Sequence, residues 1–408
     1  AFTDMCLPYL IADGRVAENP DEKTIEWVKK IVSLYQPQMS YAAEIVDLST
    51  LFFNEHPVLN EAAKEALDNH HTRYTPVSGI LELRKAICKK LQNDNELIYN
   101  PNQILVSNGA KHSIYNALQA ILNPGDEVII PSPYWVSYPE IVRLGGGESV
   151  FLETKEENNF AIEIEKLKTL INDRTKAIII NSPGNPTGCV YSKELLSQIA
   201  EIAVENNIFV ISDEIYEKLI YDGEKHVSIA SLGDDIKNLS IVINGMSKTY
   251  AMTGWRIGYA AATEEIITVM KNIQSHSTSN ANSIAQYASV AALEHTEQAV
   301  NDAVDTFNTR RKVLVKQINN IPGLSCNIPK GAFYIMVNIK DVLGKKYKNL
   351  IIKDSLSFCD ALLDDQMVAA VPGIAFGAEG YLRLSYATSI ENINRGTERI
   401  ATFVSKLQ

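Results

Sequence analysis

Basic residues are outnumbered in this chain of 408 residues: 38 Lys and Arg stand against 49 Asp and Glu, a formal charge of −11. That deficit argues against nucleic acid as a standing partner, because a phosphate backbone demands clustered cations. Cysteine is sparse as well. The five, Cys6, Cys88, Cys189, Cys326 and Cys359, are odd in number, scattered and without a C-x-x-C pair. The usual zinc and redox motifs are therefore excluded, and free thiols in a reducing compartment are expected. No run reaches the ~18 apolar residues that a membrane-spanning helix requires, so no membrane role is expected. The opening A-F-T-D-M-C-L-P-Y-L lacks a basic leading segment and a small-residue cleavage site, which points to the cytoplasm. Internal repeats and low-complexity tracts are also lacking.

What is present is a globular composition, 46% hydrophobic and 21% charged. Single cores stop growing at roughly 250–300 residues, so the length predicts two domains. Short apolar runs rich in β-branched residues predict strands at 103–106, 127–130, 176–180, 208–211 and 240–243. Helical patterns alternate with them, at Ala110–Ile121 and Lys193–Glu205 among others. The expectation is an α/β fold whose large domain holds a mostly parallel central sheet. Beyond a long helical pattern near 283–316 the composition turns to α+β, with strands expected at 332–337 and 380–386. The predicted division is an N-terminal arm with part of the small domain over 1–58, a large domain over 59–294 and a smaller α+β domain over 295–408. Turn residues cluster just after the predicted strands, where open α/β sheets build their ligand sites.

One lysine stands out against this background. Lys248 lies in S-K-T-Y-A-M-T-G-W-R-I-G at residues 247–258, and Asp213 precedes it in S-D-E-I-Y. A lysine can form a Schiff base with a carbonyl cofactor, and a carboxylate can hold a pyridine nitrogen protonated. With a phosphate cradle, these are the protein's share of pyridoxal phosphate chemistry. A lone lysine is usually a solvated surface group, so the reading rests on its company. Asp213 follows I-F-V-I-S, which delivers its carboxylate to a strand end, where it favours the charged, electron-withdrawing form of the ring. Alone, such an Asp would more often cap a helix. Tyr216 and Asn185, the latter in N-S-P-G-N-P-T-G, are placed to donate to the cofactor's phenolate oxygen, although N-P-T-G by itself is a competent turn.

Phosphate calls for backbone N–H groups at a helix start and for fixed cations. The run S-N-G-A-K at residues 107–111 closes a predicted strand and opens a helix, with Gly109 allowing close approach; Ser247 and Arg256 add a hydroxyl and a guanidinium. Trp135, in P-S-P-Y-W-V-S-Y, offers a flat face for a ring. Arg383 sits in the alternating pattern G-Y-L-R-L-S, where an inward Arg needs an anion. A substrate α-carboxylate is the expected bidentate partner, and an internal salt bridge the alternative.

Together the motifs R-Y-T-P-V-S-G, S-N-G-A-K-H-S, P-S-P-Y-W-V-S-Y, N-S-P-G-N-P-T-G, S-D-E-I-Y, S-K-T-Y-A-M-T-G-W-R-I-G, K-G-A-F-Y and Y-L-R-L-S-Y-A resemble the fold-type I, class I aminotransferases. Over residues 72–388 the chain looks most like the bacterial aspartate/prephenate aminotransferase subgroup. The resemblance implies a fold-type I pyridoxal 5'-phosphate-dependent transferase in which Lys248 carries the cofactor and Asp213 binds its ring nitrogen. It assigns Tyr216 and Asn185 to the phenolate oxygen, Trp135 to the ring face, and Gly109, Ala110, Ser247 and Arg256 to the phosphate. It also implies a homodimer with shared active sites, in which Tyr74 reaches the phosphate across the interface. Arg383 takes the substrate α-carboxylate and Lys111 the side-chain carboxylate of an acidic substrate, aspartate or glutamate. The implied reaction is ping-pong transfer of the amino group to a 2-oxo acid.

The first sixty residues depart from that pattern. Where the subgroup shows a G-x-G-E-P-D-F-like segment, this chain has S-T-L-F-F-N-E-H-P at 49–57, and an S-x-T-L-like arm is not recognisable upstream. A lyase or synthase of the same fold, or a catalytically impaired relative, therefore stays open at this stage. A transcription regulator built on this fold needs an additional DNA-binding domain, and the stretch before Thr72 is acidic in places, at Glu18, Asp21 and Glu22.

Overall fold

The computed structural model describes residues 57–408. The expected N-terminal arm, the S-T-L-F-F-N-E segment and Cys6 lie outside the described residues.

Seven strands form the large sheet: β1 (Ile104–Ser107), β2 (Glu127–Ser132), β3 (Glu148–Glu153), β4 (Thr175–Asn181), β5 (Phe209–Asp213), β6 (Ser240–Gly245) and β7 (Gly258–Ala261), in the order β1-β7-β6-β5-β4-β2-β3. The pairings among β2 to β6 are parallel, whereas β7 runs antiparallel to both β1 and β6. Both faces of the sheet are covered, which is why its strands read as continuous apolar runs. Val128, Ile130, Ile179 and Ile211 pack with Ile114 and Leu118 of helix Ala110–Ile121 and with Ile141 of helix Ser137–Leu144. Their neighbours Ile129, Ile178, Ile180 and Val210 face the other way, onto Leu196, Ile199 and Ala203 of helix Lys193–Glu205.

The five expected strands all form, and each ends one or two residues later than the apolar runs indicated. The added residues include Ser107, Ser132, Asn181, Asp213 and Gly245, polar or small groups that stay in the sheet because they meet partners there. Asn181 stands opposite Asp213 in the register of β4 and β5, and its side-chain Nδ2 donates to the Asp213 carbonyl at 2.9 Å. Two strands escaped the sequence pattern. β3, E-S-V-F-L-E, is a half-exposed edge, and β7, G-Y-A-A, is too poor in branched residues to register as a strand.

The small residues of β7 have a spatial cause. A Cβ on Gly258 would collide with the backbone of Gly109 and Ala110, so β7 can lie under the turn that opens helix Ala110–Ile121 only with glycine at this position.

The expected long helix near 283–316 is two helices, Ser283–His295 and Glu297–Asn319. Thr296 breaks them, with non-helical torsions (φ −119°, ψ 13°) and its hydroxyl returned to the Ala292 carbonyl at 2.7 Å. The first packs on helices Pro57–Asp68 and Leu81–Asn95, the second on helix Ile390–Val404. Beyond them come β8 (Tyr334–Asn338), the short hairpin of β9 (Lys346–Tyr347) and β10 (Leu350–Ile351), then β11 (Val371–Pro372) and β12 (Tyr381–Ser385). β11, β12 and β8 make a small antiparallel sheet in that order. Its core, with Phe333, Ile335, Phe358 and Phe403, also takes in Ile215, Tyr216 and Leu219 from the stretch after β5. The small sheet is thereby packed against the residues that follow Asp213. No described helix is long and apolar enough to cross a membrane.

Replacing Gly258 with alanine should lower stability by about 1–3 kcal/mol, the usual cost of overpacking, because the obstruction is backbone that cannot rotate aside. Urea unfolding checks this; a midpoint equal to that of the parent protein would contradict the close approach.

Candidate active site

The C-terminal ends of β4, β5 and β6 open into a cleft of about 950 Å³. Of the expected site residues, Ala110, Lys111, Trp135, Asn185, Asp213, Tyr216, Ser247, Lys248, Arg256 and Arg383 line it. Gly109 lies immediately behind, as the residue before helix Ala110–Ile121. Tyr74 is not brought in: its side chain is 90% exposed on the surface of the same chain.

One wall is an anion cradle. Gly109 holds φ 87°, a conformation that favours glycine, and the Arg256 guanidinium occupies the space a Cβ there would need. Arg256 is fixed by an Nη1 bond to the Thr253 carbonyl at 2.8 Å. The open N–H groups of the helix start, this guanidinium and the Ser247 hydroxyl form a donor set suited to a phosphate.

Asp213 is the buried anion of the site. The Tyr138 hydroxyl donates to its Oδ2 at 2.6 Å, and the Ile215 N–H donates to Oδ1 at 3.3 Å. Burial outweighs these donors and pushes the carboxyl up to about 6. The loop behind it is anchored by further buried bonds. Glu214 accepts from Ser212 at 2.9 Å and Ser228 at 2.6 Å, and Glu217 is ion-paired with Lys90 and accepts from Asn95 at 2.9 Å. A carboxylate so aimed into a cleft is suited to a cationic ring nitrogen.

Lys248 extends over aromatic rings, its Nζ 5.5 Å from the centre of Phe333 and 5.8 Å from that of Tyr216. The Tyr216 hydroxyl lies 3.2 Å from that of Tyr334. Burial, then the neighbouring Tyr334, holds the Tyr216 phenol well above its ordinary range, so it is a proton donor at neutral pH. Arg383 is buried, with its guanidinium 4.4 Å from the centre of the Tyr334 ring and 4.7 Å from that of Phe376. Its Nη1 donates to Asn185 Oδ1 at 2.7 Å. A planar guanidinium has in-plane donors of the geometry that matches a planar partner such as a carboxylate. Lys111 sits 4.9 Å over the Trp135 ring.

Tyr138, Tyr334, Phe376 and Asn181 also line the cleft and are not among the site residues expected from the sequence. Tyr138 and Tyr334 do close the motifs P-S-P-Y-W-V-S-Y and K-G-A-F-Y. Phe376 lies in a short 3-10 turn, Gly373–Phe376, with no local pattern to mark it.

The donor sets fit pyridoxal phosphate at both ends: a phosphate cradle, a buried carboxylate for the ring nitrogen and a lysine in the same cleft. Comparisons with known proteins give the family. The model of the family "Aminotransferase class I and II" matches residues 47–400. An aspartate aminotransferase of Bacillus subtilis (strain 168) is 48% identical, covering 87% of this chain and 89% of that protein. An aspartate/prephenate aminotransferase of Nitrosomonas europaea is 43% identical over 85% and 88% of the respective chains. The crystal structure of the aspartate aminotransferase from Rhizobium meliloti aligns with a TM-score of 0.84 at 41% identity, over 86% of this chain and 88% of that one.

The raised carboxyl of Asp213 has a consequence for the cofactor-free protein. The native chain holds this proton more tightly than the unfolded chain, so stability from this group is lost as pH rises through about 4 and the loss is complete above about 6. The gap corresponds to about 3 kcal/mol. Without cofactor, Asp213→Asn should therefore diverge from the parent in urea unfolding between pH 4 and 6 and end as the more stable protein above pH 6. A variant less stable than the parent at pH 7 would show that the carboxylate is not strained there.

Proposed function

This chain belongs to the class I and II aminotransferases, and we propose that it moves the amino group of aspartate or glutamate to a 2-oxo acid with pyridoxal 5'-phosphate held on Lys248. The observation that carries this reading is the meeting of Lys248, Asp213, Arg256 and Arg383 in one cleft. When bound, the cofactor supplies an aldehyde and a ring that draws electrons from the substrate α-carbon.

The chain's own residues divide the remaining work. The turn at Gly109 and Ala110, with Ser247 and Arg256, holds phosphate; Asp213 keeps a positive charge on the ring nitrogen; Tyr216 and Asn185 donate to the phenolate oxygen; Trp135 covers one ring face. Arg383 binds the α-carboxylate and orients the α-carbon. Lys248 Nζ, freed when the substrate amine takes its place on the cofactor, would take the α-proton as a general base and return a proton as a general acid, and the second substrate would reverse the sequence. Lys111 meets the distal carboxylate of an acidic substrate.

Tyr74 supports a homodimer with shared sites. A tyrosine 90% exposed on its own chain is available to the cleft of a second copy, where it would donate to the phosphate. The proposed domain boundary is near Glu294, at the end of helix Ser283–His295, and the separate packing of that helix and of Glu297–Asn319 supports it. The described cysteines, Cys88, Cys189, Cys326 and Cys359, are unpaired, which supports a reducing, cytoplasmic setting. Small molecules, and neither nucleic acid nor membrane, are the partners proposed.

Lys248→Ala and Lys248→Arg should both abolish turnover, the second because a guanidinium does not release its proton near neutral pH. Parent-level turnover in either would remove the assignment. Lys111→Ala should cost aspartate and glutamate about ten- to a hundredfold in kcat/KM, as for a lost charge-assisted bond, and leave alanine nearly unchanged. An equal loss for all donors would show that Lys111 serves the cofactor and does not read the substrate.

A further inference from the structure

Two fully buried glutamines hold the segment that carries Tyr74. Residues 71–80 form neither helix nor strand, so their backbone groups must find partners elsewhere. Gln274, in helix Glu264–Ser277, donates through Nε2 to the carbonyls of Val77 at 2.9 Å and Val106 at 2.8 Å. Its Oε1 accepts from Ser107 Oγ at 2.7 Å and Asn116 Nδ2 at 2.9 Å. All four hydrogen-bonding positions of the carboxamide are used. Gln286, in helix Ser283–His295, accepts from the Ile80 N–H at 2.7 Å and donates to Thr75 Oγ1 at 3.2 Å and the Ala281 carbonyl at 2.8 Å.

The two clamps differ in what they join. Gln286 touches the Tyr74 segment but not the phosphate turn. Gln274 touches both: Ser107 opens the turn that runs through Gly109 to the helix start, and Val77 lies three residues from Tyr74. A buried amide with every position matched is costly to replace: loss of its Nε2 takes a donor from the Val77 and Val106 carbonyls, and loss of its Oε1 takes the acceptor from Ser107 Oγ and Asn116 Nδ2.

We propose that Gln274 is a positioning residue that couples two active sites, locking the phosphate turn of its own cleft to the segment that lends Tyr74 to the cleft of a second copy. This rests on the dimer reading above. Gln286 is the second positioning residue and acts on the lent segment alone.

Mixed dimers test it. One subunit carries Lys248→Ala together with a probe substitution, and the other is unaltered, so the absorbance of Lys248-bound pyridoxal phosphate reports only the site that borrows Tyr74 from the substituted subunit. With Gln274→Met or Gln286→Met as the probe, the dissociation constant of pyridoxal phosphate at that site should rise about tenfold, the worth of one misplaced hydrogen bond. Tyr74→Phe in the same position should do likewise. With the probe moved to the subunit that keeps Lys248, Gln274→Met should still weaken binding and Gln286→Met should not. A role in stability alone would lower the melting temperature and leave the constant at the borrowed site unchanged. If Tyr74→Phe weakens the borrowed site and both glutamine variants leave it intact, the coupling is wrong. If Tyr74→Phe is itself silent there, the dimer reading fails and the coupling with it. Should Gln274→Met not fold, Gln286→Met, which leaves the phosphate turn untouched, decides the lent-segment arm on its own.

Discussion

A single carboxylate kept out of water organises this molecule. Burying an ionised Asp is costly unless donors surround it, and Asp213 has two, the Tyr138 hydroxyl and the Ile215 N–H. They are not enough to restore an ordinary carboxyl, which stays near 6. The protein alone therefore leaves the anion under-compensated, and a cation arriving in the cleft supplies what is missing. Binding and stability are then linked, since a ligand that satisfies the native site and not the unfolded chain stabilises the fold. The buried bonds of Glu214 and Glu217 behind the loop have the same logic. They hold Asp213 in place against its own tendency to move toward water.

Around that anion the site is assembled by close approach of backbone. Gly258 lets β7 lie under the Gly109–Ala110 turn. On the opposite side Gly188, in N-P-T-G, accepts from the N–H groups of Lys330 and Gly331 at 2.9 Å each, and a Cβ on Gly331 would meet Pro183 at 2.5 Å. The K-G-A-F-Y run is thereby laid against the loop that holds Asn185, and β8 begins at its Tyr334. β12 pairs with β8 with Arg383 opposite Met336, which brings Arg383 to Asn185. An amide from the loop after β4 and a guanidinium from β12 meet where Gly188 and Gly331 let their loops approach closely.

Much of this was legible in the sequence, and what was hidden has physical reasons. The parallel strands announced themselves through apolar runs buried on both faces, and their polar last residues did not, because a Ser or Asp at a strand end looks like loop until its partner is known. β7 was unreadable for a related reason: its composition answers to the neighbour across Gly258 and not to strand propensity. The break at Thr296 hides inside a continuous helical pattern, since a threonine is tolerated in helices. The residues that line the cleft were legible because their motifs place several rare functional types at strand ends in succession. Tyr138 stands in a readable motif, but its bond to Asp213 appears only in the fold, and Phe376, beside Arg383, lies in a turn with no pattern to mark it. Gln274 and Gln286 are the extreme case, being polar residues in helices whose bonds to the Tyr74 segment span about 200 positions.

The central claim is that Lys248 and the phosphate cradle serve one bound aldehyde. The most direct measurement is to add pyridoxal phosphate to the cofactor-free protein, reduce with borohydride, digest, and locate the label by mass spectrometry. Stoichiometric labelling of Lys248 is expected, with inorganic phosphate competing for the site. Label spread over surface lysines with Lys248 unmodified would contradict it.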